Sequence, residues 1–242
     1  MLKRMLTEYR KKRNFSKTPE PKGGVEADNG RNYSEFVIQK HNASRLHFDL
    51  RLESGKVLKS WAVPKPISLD PENKNLAVAV EDHPFGYKDF EGIIPEGNYG
   101  AGTVMIWDKG VYYAIGSSNR SESEKMIAEG LKEGKISFYL EGKKIKGEFA
   151  IIRLKEGENN WLLIKKKDRY ADRKIMNDDL SAKTGRTMEE ISKNEPIKSN
   201  RDFKYSLRDI DFNRTPSAKM PENIRSMPAA LAEGLFDIFI AR

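Results

Sequence analysis

Between positions 36 and 53 the chain alternates polar and apolar residues with a period of two. In the second half of this run Leu46, Phe48, Leu50 and Leu52 alternate with Arg45, His47, Asp49 and Arg51. That pattern predicts a strand with one face in a core. The first half, from Phe36 to His41, also alternates, and Asn42-Ala43-Ser44 reads as a turn. Together they predict a hairpin that brings His41 back beside His47. Further strands are predicted over 56–63, 75–81, 103–107, 135–140, 144–154 and 160–166, with turns at Ser54-Gly55, Gly142 and 157–160. The run 123–133 places Met126, Ile127 and Leu131 on one side and predicts a helix capped at Ser121 or Ser123. Thr187-Met188-Glu189-Glu190 is a capping box that opens a second short helix. Short strands with one interposed helix predict a mainly β fold, a closed or nearly closed β-barrel with a few short flanking helices.

The ends break this pattern. Residues 1–32 read as a basic N-terminal arm, with a short helix through Leu2, Met5, Leu6 and Tyr9 followed by Arg10-Lys11-Lys12-Arg13. Two prolines and two glycines within 18–24 exclude regular structure there. The arm reads either as a disordered tail or as a flap over a nucleic-acid end. The barrel domain is expected over 33–194. Residues 195–242 are interrupted by Pro196, Pro216, Pro221 and Pro228 and read as a linker or extended tail, whose end at 231–240 is apolar enough to dock.

A merely solvated strand face would carry Lys, Glu, Thr and Ser. Here an imidazole, a carboxylate and a guanidinium stand in a row, about 7 Å apart at strand spacing. One ion can touch His47 and Asp49 while Arg51 reaches an anionic group beside it. With His41 opposite, His41, His47 and Asp49 form a two-histidine, one-carboxylate set, which suits Mn, Fe or Zn rather than Mg or Ca. All three histidines lie between 41 and 83; the competing reading is three buried, hydrogen-bonded rings. The strand at 75–81 delivers Glu81 and His83 at its end, with Tyr87 four residues on, and Lys65 is held between Pro64 and Pro66. The run 92–102 packs four glycines around Pro95, yet it lacks GxxxxGK[ST] and precedes a strand, so it is not a P-loop.

Composition narrows the partners. The 242 residues carry a net charge of +8, which points to an anionic partner, nucleic acid first. A similar balance also occurs in Lys- and Glu-rich thermophile proteins. The absence of Cys excludes disulfides, thiolate metal sites and a Cys nucleophile. No apolar run approaches the ~20 residues of a membrane span, and the opening lacks the apolar core of a signal peptide; the cytoplasm is the expected compartment.

The stretches 8–21, 36–53, 61–66 (WAVPKP), 76–87, 91–104, 161–168 and 184–191 closely resemble the 3′-phosphoesterase module of the bacterial and archaeal DNA ligase D family, in its stand-alone form. The resemblance implies a β-barrel hydrolase of non-homologous end joining. Such a module removes a 3′-terminal ribonucleotide as a phosphodiesterase and the remaining 3′-phosphate as a monoesterase, leaving a 3′-OH for ligation. It implies Mn²⁺ as cofactor, other divalent transition metals being alternatives, with His41, His47 and Asp49 as ligands. Arg51, Lys65 and His83 would contact the scissile phosphate with Tyr87 beside them, while Glu81, Arg13 and Glu20 would serve chiefly the diesterase step. Implied partners are DNA or RNA-containing 3′ ends of a primer–template, alongside a separate ligase, polymerase or Ku-like end-binding protein. With no Ser or Cys nucleophile in place, direct attack by water is expected.

Three positions depart from the family pattern: Asn14 replaces an Asp, Asn75 a basic residue and Asn42 an Asp. Asn14 weakens the expectation of diesterase activity most. Beyond 191 the resemblance fades, and 223–232 is faintly similar to the opening of an ATP-dependent ligase module. Two other readings compete. His47-x-Asp49 with His83 fits the facial triad of a non-haem Fe(II) oxygenase, but the next arginine is Arg120, too distant for the expected 2-oxoglutarate contact. A non-catalytic DNA-end-binding scaffold explains the basic ends but not the chemistry of the hairpin.

Overall fold

The computed structural model describes residues 5–24, 30–173 and 178–198. The alternating run folds as the predicted hairpin of β1 (Ser34–Asn42) and β2 (Leu46–Ser54), with His41 directly opposite His47 and Gln39 opposite Asp49. Seven further strands follow: β3 (Val57–Val63), β4 (Lys74–Pro84), β5 (Gly92–Ile94), β6 (Gly102–Ala114), β7 (Lys135–Gly142), β8 (Lys146–Arg153) and β9 (Asn160–Lys165). They pair antiparallel in the order β1-β2-β3-β4-β9-β8-β7-β6, and β6 closes on β1 to complete an eight-stranded barrel; β5 adds to the free part of β6.

Closure explains the alternation. Phe36 and Ile38 of β1, Phe48, Leu50 and Leu52 of β2, and Trp61 and Val63 of β3 point into the barrel, where they meet Met105, Phe138, Phe149 and Trp161. Each such side chain taken fully from water contributes about 1.5–3 kcal/mol. Leu46 is the exception on this face, 49% exposed at the hairpin's mouth. The intervening residues face outward, and a second, smaller apolar cluster of Tyr9, Leu58, Tyr87, Phe90, Ile94 and Val104 covers part of that outer wall.

The helices are short. α1 (Thr7–Lys11) belongs to the arm, α2 (Arg120–Glu133) packs Ile127 into the core, and α3 (Met188–Ser192) begins with the expected Thr187–Glu190 capping box. The cap of α2 is Asn119, whose side chain accepts from Glu122 N, rather than Ser121 or Ser123. Those two serines fall inside the first turn because the helix starts three residues earlier than its apolar pattern. β4 likewise runs past Glu81, so His83 sits inside the ladder, paired with Leu58, rather than in a following loop. A 3₁₀ turn, Phe85–Asp89, then carries Tyr87.

Residues 5–24 pack on the barrel with Leu6, Tyr9, Thr18 and Glu20 buried, which sets aside the disordered-tail reading for this part of the arm. The stretch 18–24 has no regular structure, as its prolines and glycines require. The sequence readings at 223–232 and 231–240 lie outside the described residues. Among the described residues, no helix is long and apolar enough to cross a membrane.

Candidate active site

The outer face of the β1–β2 hairpin carries Gln39, His41, His47, Asp49 and Arg51 because the inner positions are taken by the core residues between them. One candidate ligand atom from each of His41, His47 and Asp49 lies within 4.8 Å of the others. His41 Nδ1 is 3.7 Å from one Asp49 carboxylate oxygen and His47 Nε2 is 3.9 Å from the other. Each imidazole uses its remaining nitrogen on a carbonyl: His41 Nε2 on Gly100 O at 3.0 Å, His47 Nδ1 on Arg45 O at 2.9 Å. A carbonyl only accepts, so those nitrogens carry the protons. The other ring nitrogens, His41 Nδ1 and His47 Nε2, are the ones facing Asp49. This is how a metal ligand set is oriented by its surroundings, and a modest contraction would bring all three atoms onto one ion. Burial alone would raise the Asp49 carboxyl, but Arg51, aided by His41 and His47, outweighs it and holds the group below its usual range.

The glycine-rich run serves this cluster. A side chain at Gly102 would place its Cβ 2.3 Å from Asn42 O, so only glycine lets β6 start against the end of the hairpin. That close approach sets Gly100 O on His41.

Arg51 is locked in place. Its Nε donates to Gln39 Oε1 at 2.7 Å, its Nη2 to Asp49 at 3.0 Å, and its guanidinium lies 4.8 Å from the Tyr87 ring centre. Gln39 in turn donates to Tyr87 O and Phe90 O. Arg51 Nη1 is buried and has no hydrogen-bond partner among the described residues. A buried, unpaired cationic N–H is costly and calls for an anion.

His83 stands between the Tyr9 and Tyr87 rings, 5.0 and 4.8 Å away by centroid. Its Nδ1 donates to Glu81 O at 2.8 Å, leaving Nε2 to accept from Arg13 Nη2 at 3.2 Å. Burial, then the charges of Arg51 and Arg13, push its pKa well below the ordinary histidine value, so it is neutral at pH 7. Tyr87 OH donates to Glu20 at 2.9 Å, and burial keeps that phenol protonated. Arg13 ties the arm across the site: Nε to Glu20 at 2.8 Å and Nη1 to Glu81 at 3.0 Å.

Nine of the ten expected residues therefore form a contiguous set: His41, His47, Asp49, Arg51, Tyr87, His83, Glu81, Arg13 and Glu20. Lys65 stays apart, exposed in the Pro64–Pro66 loop. That loop leaves β3 after Val63, which pairs with Phe48, at the His47 end of the hairpin, and Asn75 Nδ2 anchors it through Pro66 O at 2.9 Å. Asn14 bonds locally, accepting from Ser16 N and the Ser16 hydroxyl. Gln39 and Tyr9 join this set without a site role expected from the sequence. Gln39 shares the polar face with His41, a signal already present in the alternation; Tyr9 reads as one apolar residue of a short helix, and nothing local marks its role.

The chain is thus a β-barrel whose outer face sets two histidines and a carboxylate that could hold a metal ion beside a buried arginine N–H. Within that class, residues 39–153 match the DNA Ligase D 3′-phosphoesterase domain, and the chain belongs to that family through this domain. It is 47% identical over 165 residues to the multifunctional non-homologous end joining protein LigD of Pseudomonas aeruginosa, covering 67% of this chain and 19% of that protein. The LigD of Mycolicibacterium smegmatis is 44% identical over 169 residues, covering 67% of this chain and 21% of that protein. The non-homologous end joining DNA repair protein LigD of Mycobacterium tuberculosis is 44% identical over 148 residues, 61% of this chain and 18% of that protein. The chain thus spans about a fifth of the length of the curated relatives it matches.

Proposed function

We propose that this protein is a metal-dependent phosphoesterase that heals DNA 3′ ends, releasing a 3′-phosphate and, more slowly, a 3′-terminal ribonucleotide. The observation that carries this reading is the unpaired, buried Nη1 of Arg51 beside the His41–His47–Asp49 set. His41, His47 and Asp49 would hold the metal, Mn²⁺ by family likeness. When bound, it supplies a Lewis-acid charge that polarises a phosphoryl oxygen.

The chain's own groups do the rest. Arg51 Nη1 donates to an equatorial phosphoryl oxygen, and because Gln39 and Asp49 already fix the guanidinium, little is lost to reorganisation as charge builds there. Lys65 adds a second positive charge from the loop. A phosphate monoester carries about −2 near neutral pH. That charge offsets Arg13 and Arg51 at His83, so the imidazole gains proton affinity as substrate arrives. With Nδ1 fixed on Glu81 O, Nε2 becomes the atom that can protonate the departing 3′-oxygen. Tyr87, held by Glu20, walls the site and sets the Arg51 plane. Arg13, Glu20 and Glu81 join the arm to the site and would position the longer diester substrate.

We divide the chain accordingly into an arm at 1–32, a catalytic barrel at 33–194 and a tail at 195–242. DNA or RNA-containing DNA ends are the proposed substrate, and a ligase, polymerase or Ku-like protein would act on the same ends. The oxygenase reading is disfavoured because both His83 nitrogens are engaged, by Glu81 O and Arg13, away from the His47–Asp49 pair.

The deciding assay supplies a primer–template with a 3′-phosphate and Mn²⁺. Release of inorganic phosphate with a 3′-OH product is expected; tight DNA binding with no turnover would leave the scaffold reading instead. Asn14→Asp, which restores the carboxylate of the family pattern, should raise ribonucleotide removal several-fold relative to phosphate release; an unchanged ratio would mean that Asn14 does not limit the diesterase step.

A further inference from the structure

The residue that the proposed chemistry leaves unexplained is Tyr99. It is 50% exposed, one of few large apolar side chains so placed. It also stands immediately before Gly100, whose carbonyl accepts from His41 at 3.0 Å, so its Cα is about 3.8 Å from that of a residue touching the metal-competent cluster. Leu46, 49% exposed and adjacent to His47, is a second bare apolar group at the same cluster.

The ring is held rather than loose. Asn98 N donates to Pro95 O and Ala101 N to Asn98 O, giving two successive turns around Tyr99. Gly97 and Gly100 take φ values of 79° and 74°, which fix the turn geometry at no steric cost. From the arm, Lys12 Nζ lies 4.7 Å from the ring centroid and 3.4 Å from the hydroxyl, and Arg13 lies 5.6 Å from the centroid. Lys12 is itself pinned by Glu81 at 2.9 Å. A preset aromatic ring backed by cations and open to solvent is what nucleic-acid proteins offer to an unstacked base.

Resting on the proposed function, we infer that Tyr99 is the stacking platform for the nucleobase of the 3′-terminal nucleotide, so that the enzyme grips the end by its last base as well as its phosphate. Stacking accepts any base, which suits an enzyme acting on ends of arbitrary sequence. Lys12 and Arg13, which contact both the ring and Glu81, then link base binding to the arm's closure on His83.

The test compares wild type, Tyr99→Ala and Tyr99→Phe on two 3′-phosphorylated primer–templates, one with a normal terminal base and one abasic at the terminal sugar. On the base-bearing end Y99A should raise KM about tenfold, within the usual range for one base–aromatic stack, while Y99F rescues it. On the abasic end all three should share one KM. An equal KM for Y99A and wild type on the normal end overturns the inference. So does the same loss on both ends, which would make Tyr99 a partner of Lys12 only. A terminal 2-aminopurine with a 3′-phosphate gives a second readout without metal or turnover: wild type and Y99F should quench its fluorescence and Y99A should not. If wild type releases no phosphate from either end, the functional reading itself falls, whereas quenching still reports on stacking.

Discussion

The outer face of β2 carries two buried ionic networks only a few residues apart, and they are finished differently. At one end Glu53 is saturated. One oxygen accepts from Arg31 Nη2 at 2.8 Å and Arg120 Nη2 at 3.1 Å, the other from Glu35 N at 2.8 Å and Arg31 Nη1 at 3.2 Å. Arg31 also bonds Glu35, and Arg120 pairs with Glu124. Two residues before Glu53, Arg51 keeps one buried N–H without a partner among the described residues, and beyond it two imidazole nitrogens face a carboxylate at distances too long for hydrogen bonds. Both ends are charged, buried and on one strand face. What separates the two is completion: the brace satisfies its own polar groups, and the candidate site leaves a donor and two imidazole nitrogens open.

The largest expected effect comes from the open end. His47→Ala should reduce turnover to background and also remove the rise in melting temperature that Mn²⁺ gives by binding the folded state. His83→Ala should be as inactive yet keep that rise. Melting curves with and without Mn²⁺, run beside a phosphatase assay, read both; loss of the shift in His83→Ala would make His83 a ligand and displace His41 from that role. Next, Arg51→Gln should lower kcat on a 3′-phosphate about 100-fold, the scale of one preorganised donor to developing charge. A kcat within a few-fold of wild type would mean that its free N–H is not aimed at substrate.

The closed end should respond in the opposite sense. Glu53→Gln should keep turnover at 25 °C while costing about 2 kcal/mol, because Arg31 and Arg120 lose a charged partner but can still reach water. That corresponds to a fall of roughly 5 °C in Tm for a domain of this size. A loss of activity without a loss of stability would erase the distinction between the two ends.

The smallest effect is in pH dependence. His83 has its folded pKa well below the ordinary value, from burial first and then Arg51 and Arg13. Below pH ~6.5 the unfolded chain takes up a proton that the folded one refuses, so stability is present above that pH and lost as pH falls. Between pH 6 and 5 wild type should lose about 1 kcal/mol more than His83→Asn, measured by denaturant unfolding without metal. Parallel curves would mean that His83 protonates freely in the folded protein.

The hairpin was legible because its information is local. A strict period of two assigns Phe48 and Leu50 to the core and His47, Asp49 and Arg51 to the opposite face, and a short turn fixes His41 across from His47. Strand count and spacing carried the barrel as well, and the Thr187 capping box is written in four residues. Boundaries were less legible: β4 continues through His83 because pairing with β3 holds it there, and α2 starts at a cap that its apolar pattern does not reach.

Tertiary structure alone decided the rest. Nothing local says that Arg13 crosses to Glu81 and His83, that Tyr9 packs on His83, or that Gln39 holds Arg51 on the carbonyls of Tyr87 and Phe90. These contacts join segments tens of residues apart, so they depend on how the closed barrel wall presents its outer face to the arm. The same holds for the protonation states of the site, since His83 is neutral because burial and two arginines from distant segments surround it. Periodicity fixes which way a side chain points; closure of the chain on itself fixes what it meets there.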